Sequence, residues 1–126
     1  MKKIIYTEKA PEPIGSYSQA VRYGQMLYTS GQISISPETG TLIKGSIEKE
    51  THQVMKNLEA VLHEAGLTFE QVVKTTIFIT NMDDFRSINN VYGSYFNPET
   101  APARETVQVV GLPKNVRVEI SLIAAY

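Results

Sequence analysis

The chain has 126 residues, with 12 basic and 13 acidic side chains, a formal net charge of −1 and no cysteine. This length fits one domain spanning residues 1–126, which can bury a core without a metal or disulfide staple. The lack of cysteine excludes disulfides, thiolate zinc sites, iron–sulfur clusters and a thiol nucleophile, and the near-neutral charge disfavours a nucleic-acid binder. The apolar run after Lys3 is too short for a signal peptide, and no stretch is long enough to span a membrane, so we expect a cytoplasmic protein.

The first part of the chain predicts an antiparallel hairpin. Residues 17–23 and 26–33 have the composition of strands, and Gly24-Gln25 forms a tight turn between them. Lys3–Tyr6 can add a short strand at the edge. The proline-rich segment 10–15 between them cannot be helical.

A helix is predicted from about Ile47 to Ala65, because its apolar residues recur at helical spacing. Ser46 is the candidate N-cap and Gly66 the C-terminal stop. The next segment, Gln71–Thr80, is rich in β-branched residues and nearly continuously apolar at its end. This pattern predicts a strand that is buried on both faces.

A second helix is predicted from about Asp84 to Phe96, with Asp83 as its cap. Residues 104–110 and 115–124 alternate in polarity with period two, and residues 111–114 connect them, so they predict an antiparallel hairpin. The element order is therefore β-β-α-β-α-β-β. Two helices can cover only one face of this sheet, so the other face must meet water or another subunit, and a homo-oligomer is expected.

The predicted C-terminal hairpin carries a polar face. In the expected register, Thr106 lies opposite Glu119, Arg104 lies opposite Ser121, and Arg104 and Glu119 are diagonal neighbours. An arginine can bind a carboxylate through a bidentate fork, and a glutamate can orient or deprotonate a water. The pattern fits a site for a small carboxylic acid, but on pattern alone an ordinary cross-strand ion pair on a solvated sheet is the favoured interpretation, because such pairs are common there.

Several other polar residues give weaker signals. Asn89 lies at the edge of the apolar stripe of the second helix, where it either contacts a ligand or is satisfied by nearby backbone. Tyr17 and Ser30 are unexceptional by pattern. His52 and His63 share a helix face but are about 16 Å apart along it, too far for one metal ion. No metal site is predicted.

The sequence resembles the RidA/YjgF family of reactive-intermediate deaminases over essentially its whole length. The most specific match is the pair of segments Pro102-Ala103-Arg104 and Val118-Glu119-Ile120. Supporting matches lie at family spacing in four further segments: residues 14–20 (IGSYSQA), 28–33 (YTSGQI), 51–54 (THQV) and 89–93 (NNVYG).

The resemblance implies an α+β, chorismate-mutase-like mixed sheet with two helices packed on one face, assembled as a homotrimer with its sites at subunit interfaces. It implies hydrolysis of 2-imino acids or their enamine tautomers, 2-aminoacrylate and 2-aminocrotonate, to 2-keto acids and ammonia. No cofactor or metal is implied. The imines would come from pyridoxal-phosphate-dependent dehydratases, and no nucleic acid or membrane partner is expected.

By the same resemblance, Arg104 corresponds to the arginine that grips the substrate carboxylate, and Glu119 to the acid that positions the hydrolytic water. Four residues correspond to positions lining the cleft: Tyr17, Ser30, Gly31 and Asn89.

Two positions depart from the family pattern. Thr106 stands where the family often has cysteine and can serve as a substrate-binding residue if that position acts through its backbone carbonyl. Glu105 stands where a small residue is usual, and we expect it to face the helices, where a carboxylate needs a partner. These departures leave open a non-catalytic trimer that binds keto acids. A ribonuclease or translation inhibitor, roles attached to relatives of the family, fits the charge balance less well.

Overall fold

The sheet is mixed, and its strand order differs from the order of the strands along the chain. A computed structural model describes all residues, 1–126. Its strands are β1 (Lys3–Ile5), β2 (Ala20–Tyr23), β3 (Met26–Thr29), β4 (Val72–Ile79), β5 (Ala103–Gln108) and β6 (Val118–Ala125), and its helices are α1 (Ile47–Glu64) and α2 (Phe85–Gly93). The spatial order is β1-β2-β3-β6-β4-β5. The predicted α+β class and order of elements are confirmed.

The first hairpin and the first helix form as predicted, with shorter strands. β2 and β3 pair antiparallel around the Gly24-Gln25 turn, where Gly24 adopts a positive φ of 61°. The strands stop at Ala20 and Thr29 rather than extending to residues 17 and 33. Ser46 caps α1, because its side chain accepts a hydrogen bond from the Lys49 amide at 3.1 Å.

The second helix is shorter than predicted, and its cap is different. A 3-10 turn at Met82–Asp84 precedes α2, and the side chain of Asn81 caps that turn by accepting from the Asp83 amide. Asp83 is therefore not the cap. The α-helix ends at Gly93, and the chain to Phe96 continues in turns.

The predicted C-terminal hairpin is wrong. β5 pairs parallel with β4, and β6 pairs antiparallel with the other edge of β4, so β4 lies between the two strands. The connection spans residues 109–117, which is long enough to cross the end of β4 rather than turn back beside β5. Since α2 connects β4 to β5, the parallel pairing follows from an ordinary β-α-β crossover.

The core lies between the two helices and one face of the sheet. From α1 it receives Val54, Leu58, Val61 and Leu62, and from β6 the alternate residues Val118, Ile120, Leu122 and Ala124. Each such large aliphatic side chain contributes about 1.5–3 kcal/mol by leaving water.

The other face of the sheet carries no helix. β4 is buried on one face only, with Thr75, Ile77 and Ile79 inward, so the prediction of a strand buried on both faces is wrong. Tyr28 pairs with outward-facing Ile123 of β6, and Val107 pairs with outward-facing Phe78 of β4. Tyr28 and Val107 are 47% and 42% exposed. We call this surface the open face. No helix is long and apolar enough to cross a membrane.

Candidate functional site

Arg104 projects from β5 towards α2, at the free edge of the sheet. Its neighbour across the strand pair is Thr75, which points into the core, so both side chains lie on the helix-covered face. The guanidinium donates a hydrogen bond of 2.6 Å to Asn89 Oδ1 and lies 5.1 Å from the ring centroid of Tyr92 and 5.8 Å from that of Phe85. We call Arg104 with these three α2 residues the Arg104 edge.

The Tyr92 ring beneath the guanidinium is itself held in place. Its hydroxyl shares a hydrogen bond of 2.7 Å with the hydroxyl of Thr75, which is 1% exposed. Burial raises the pKa of Tyr92, so the phenol stays neutral beside the cation. The Arg104 edge therefore combines an amide oxygen with two aromatic faces, an arrangement that orients a guanidinium while its remaining N–H groups stay free.

Thr106 lies two residues further along β5 on the same face. Its hydroxyl oxygen is buried and has no hydrogen-bond partner. Buried hydroxyls are normally paired, so the unpaired Thr106 hydroxyl is an exception within this chain.

Glu119 points to the opposite, open face of the sheet and lies in a cleft of about 360 Å³. The cleft is lined by residues of the N-terminal segment, of the loop after β3 and of the approach to β6: Pro11, Glu12, Ile14, Tyr17, Ser30, Gly31, Gln32, Ile33, Ile35, Pro113 and Glu119. We call it the Glu119 cleft. Its volume fits a small metabolite.

The Glu119 carboxylate has no cationic partner within the chain. The two ion pairs of the structure involve other groups, Lys74 with Glu105 and Arg117 with Glu50. Burial raises the pKa of Glu119 above that of an exposed glutamate. An uncompensated, partly desolvated carboxylate at the wall of a cleft is suited to accept a proton from a bound water.

Gly31 approaches Glu119 so closely that no side chain fits between them. A Cβ built on Gly31 would lie 2.7 Å from Cδ and 2.8 Å from Cγ of Glu119. The glycine backbone therefore forms the surface against which the carboxylate packs.

Tyr17 and Ser30 flank this surface. The Ser30 hydroxyl donates to the Ser18 carbonyl at 2.6 Å, and the Tyr17 hydroxyl accepts from the Ile14 amide at 3.3 Å. Tyr17 is 48% exposed at the rim. Four of the residues carried over from the family pattern, Tyr17, Ser30, Gly31 and Glu119, thus meet in one cleft.

Arg104 and Glu119 do not share a face, and this expectation is wrong. Their strands are separated by β4, which places them about 10 Å apart across the sheet. Arg104 pairs with Thr75 of β4, and Glu119 pairs with Phe78 of β4. Thr75 and Phe78 are three residues apart, so the two side chains are also offset by about 10 Å along the strand direction. With the two side chains on opposite faces, one small molecule cannot bridge them within one chain.

Glu105 also differs from expectation, because it faces the open side and not the helices. Its carboxylate forms an ion pair of 3.2 Å with Lys74 and accepts a hydrogen bond of 3.3 Å from the Thr76 hydroxyl. Both partners lie on β4, the strand next to β5. The partner that this carboxylate requires is therefore on the open face.

Two buried amide side chains hold the walls of the Glu119 cleft, and the sequence pattern predicts neither of them as a site residue. Gln19 bonds to the backbone of Thr7, Ala10 and Pro11, and Asn57 bonds to the backbone of the loop after β3. The signal for Asn57 was present in the sequence as a polar residue within the apolar stripe of α1. No group of His, Asp or Glu side chains is arranged to hold a metal ion.

Taken together, the six-stranded mixed sheet with two helices on one face and the two groups of polar residues define a class of small α+β proteins. The chain belongs to the RidA/YjgF family: the family model described as Endoribonuclease L-PSP matches residues 7–126. A protein of Mus musculus named 2-iminobutanoate/2-iminopropanoate deaminase is 44% identical, over 98% of this chain and 91% of its own length.

Solved structures agree with the fold. A member of the conserved Rid family from Yersinia pestis, YyfA, is 50% identical with a TM-score of 0.97, and the match covers 100% of both chains. E. coli TdcF, solved with bound serine, is 41% identical with a TM-score of 0.92 over 98% of each chain.

Proposed function

We propose that this protein hydrolyses 2-imino acids, or the enamines 2-aminoacrylate and 2-aminocrotonate, to 2-keto acids and ammonia. The observation that carries the proposal is the unpartnered Glu119 carboxylate in a metabolite-sized cleft, packed against Gly31. The name of the mouse relative, an imine deaminase, supports the same chemistry.

The site would be composite, with Arg104 of one copy facing the Glu119 cleft of another in a homotrimer. Within one chain the two groups lie on opposite faces of the sheet, so a second copy is needed to bring them together. β5 is a free edge of the sheet, Val107 is exposed on its open face, and Val110 is exposed just after its end, so this edge offers apolar surface that a second copy would cover.

Arg104 would bind the substrate carboxylate through its remaining N–H groups, held in orientation by Asn89 and the rings of Phe85 and Tyr92. The neighbouring Thr106 would contribute backbone or hydroxyl contacts to the same ligand. Bound serine in the TdcF structure is an amino acid and carries the same α-carboxylate.

Glu119 would act on the water. The carboxylate accepts a proton as the water oxygen attacks the imine carbon and returns it to nitrogen, which gives a carbinolamine. The proton of the carbinolamine hydroxyl then passes to nitrogen by way of the same carboxylate, so that the carbonyl forms as the C–N bond breaks and ammonia leaves. Tyr17, Ser30 and Gly31 would line the space for the substrate side chain. Because an imine is already electrophilic, holding the reactants and moving these two protons is sufficient catalysis.

Such substrates arise when pyridoxal-phosphate-dependent dehydratases act on serine or threonine, so the proposal places the protein in the cytoplasm, downstream of such an enzyme. The endoribonuclease description of the family model is not adopted as the function, because a net charge of −1 is unfavourable for binding RNA phosphates.

The test couples the protein to a threonine dehydratase with threonine and follows decay of the imine intermediate. We expect faster decay than in buffer with the wild type, and loss of that acceleration in Arg104→Ala. Wild-type protein that leaves the decay unchanged, while calorimetry detects keto-acid binding, would replace the deaminase by a non-catalytic metabolite-binding protein.

A further inference from the structure

Asn57 is a polar residue in the middle of the apolar face of α1. It is completely buried, next to Leu58 and on the same stripe as Val54 and Val61, which are also inaccessible to solvent. Burying an amide costs free energy unless its hydrogen bonds are made, so its presence in this core needs a specific reason.

The amide of Asn57 holds the loop that forms one wall of the Glu119 cleft. Its Nδ2 donates to the carbonyls of Ile33 at 3.1 Å and Ile35 at 2.9 Å, and its Oδ1 accepts from Gln53 at 2.8 Å. Ile33 and Ile35 both line the cleft. Without Asn57 the Ile35 carbonyl would lose its donor, and the Ile33 carbonyl would keep only the hydrogen bond of 2.9 Å from the Ile35 amide.

The same loop passes directly to the surface on which Glu119 packs. Gln32 exchanges backbone hydrogen bonds with Ile120 at 2.8 and 3.1 Å, and Gly31 contacts Glu119. The loop is thus fixed on one side by β6 and on the other by Asn57. Only Gln32 separates Ile33 from Gly31 along the chain, so a shift of the backbone at Ile33 is passed on to Gly31 through one residue.

We infer that Asn57 is a positioning residue for the Glu119 cleft: it sets how closely the Gly31–Ile35 segment packs against the Glu119 side chain. This inference rests on the proposed function for its kinetic consequences, but its structural consequence is independent of turnover. Asn57 touches neither the cleft nor the substrate, and it acts only through the backbone of the loop.

The kinetic test compares Asn57→Leu, which keeps the shape and removes both donors, with two controls. Val61→Ala weakens the same core face without touching the loop, and Gln53→Ala removes the Oδ1 contact but leaves both loop bonds. Asn57→Leu should lower kcat for imine hydrolysis at least about tenfold, because misplacement of a catalytic group by a fraction of an ångström is costly. Both controls should retain the wild-type kcat.

The second readout is the acidic limb of the pH profile of kcat. Loosening the loop admits water to Glu119, so the limb should move to lower pH in Asn57→Leu and stay in place in Val61→Ala. The other titratable groups lining the cleft are Glu12, which hydrogen-bonds to Tyr6, and Tyr17, which hydrogen-bonds to Ile14, and neither is hydrogen-bonded to the loop that Asn57 holds. The inference would be overturned if Asn57→Leu and Val61→Ala lost equal amounts of melting temperature and had the same kcat and the same acidic limb.

Two further measurements keep the inference testable under every outcome. If Asn57→Leu does not fold, Asn57→Ser, which retains one shorter donor, should show the same changes at smaller size. If the wild type does not accelerate imine decay, the proposed function fails, and an NMR titration of the Glu119 carboxyl carbon decides the inference alone. An identical titration in wild type and Asn57→Ser would then contradict it.

Discussion

The two halves of the candidate site are built in different ways. At the Arg104 edge, side chains of α2 surround the cation: an amide oxygen accepts from it and two rings lie beneath it. In the Glu119 cleft, the charged group has no side-chain partner, and the backbone of a loop packs against it. The Arg104 guanidinium has an amide and two rings as partners and is exposed at the edge of the sheet. The Glu119 carboxylate has no side-chain partner and is half-buried.

This difference shows what each half lacks. A guanidinium on an exposed edge is stable without a carboxylate, because water and Asn89 solvate it. A half-buried carboxylate without a partner costs free energy, and proteins keep such groups mainly where they are used. The halves are complementary in charge, which is what a site shared between two copies requires.

The largest effect should come from separating the two halves genetically. Arg104→Ala and Glu119→Gln should each lower imine hydrolysis at least about 100-fold, since each removes a charged contact to substrate or the proton acceptor. If the site is shared, one active site forms in each mixed trimer, because the intact Arg104 and Glu119 come from different variants. Random mixing of three copies should restore about a quarter of the wild-type rate.

The mixing experiment requires that the two variants assemble together. Each variant carries a different tag, and native mass spectrometry shows whether one oligomer contains both tags. The control mixes Arg104→Ala with itself in the second tag. If oligomers that contain both tags are no more active than the single variants, the site is not shared between copies: either both residues act within one copy or the activity lies elsewhere.

The second effect contrasts activity with stability at Glu119. Because burial raises the folded-state pKa of Glu119 above its unfolded value, the folded chain binds the proton more tightly. Stability is therefore lost as pH rises from the unfolded pKa through the folded one, and at neutral pH the full penalty is present. Glu119→Gln should melt at a higher temperature than wild type at pH 7, although its activity is low.

The advantage of Glu119→Gln should vanish below about pH 4, where wild-type Glu119 is protonated in both states. Calorimetry of the two proteins from about pH 3 to pH 8 measures it, with Glu12→Gln as the matched control at another carboxylate of the cleft. Equal melting temperatures at all pH values would contradict the prediction, because the pKa of Glu119 would then be the same in the folded and unfolded states; a lower melting temperature of Glu119→Gln at pH 7 would mean that Glu119 is paired with a cation in the assembled protein.

A somewhat smaller effect is expected where Gly31 packs against the Glu119 side chain in the wall of the cleft. Gly31→Ala would place a methyl group within 2.8 Å of the Glu119 side chain, so the carboxylate must move. We expect kcat to fall about 10- to 100-fold with little loss of stability, because Gly31 is exposed and has no restrictive positive φ. Gly93→Ala, where an added Cβ meets nothing within 4 Å, is the control and should keep the wild-type rate.

The sequence alone predicted the elements well and the site only in part. Helical periodicity and the Ser46 cap located α1, and Gly24-Gln25 located the first turn, because these signals are local. The pairing of β5 with β4 is not local. Two alternating strands joined by a glycine- and proline-containing segment fit a hairpin equally well, and only the crossover through α2 decides between them.

The same limit applies to the site residues. The predicted hairpin puts Arg104 and Glu119 on one polar face, and the family pattern then assigns both to the site, so the wrong strand pairing leads to the wrong geometry between them. The sequence pattern allows Asn89 either a ligand contact or a hydrogen bond to nearby backbone, and within the chain its amide oxygen instead accepts a hydrogen bond from Arg104. A polar residue on an apolar stripe signals a specific role, but its partner comes from the tertiary fold.

The smallest effect is expected for Asn89, and it separates orientation of Arg104 from its charge. Asn89→Leu removes the acceptor but leaves the cation and the rings of Phe85 and Tyr92. We expect KM for the imine to rise about 5- to 10-fold with kcat nearly unchanged, because an exposed arginine loses one charge-assisted hydrogen bond and keeps its attraction for a carboxylate. Asn90→Leu, on the exposed side of the same helix, should leave KM unchanged. A fall in kcat with unchanged KM in Asn89→Leu would instead show that Asn89 acts in the transition state, and the Arg104 edge would then be part of the chemistry as well as of binding.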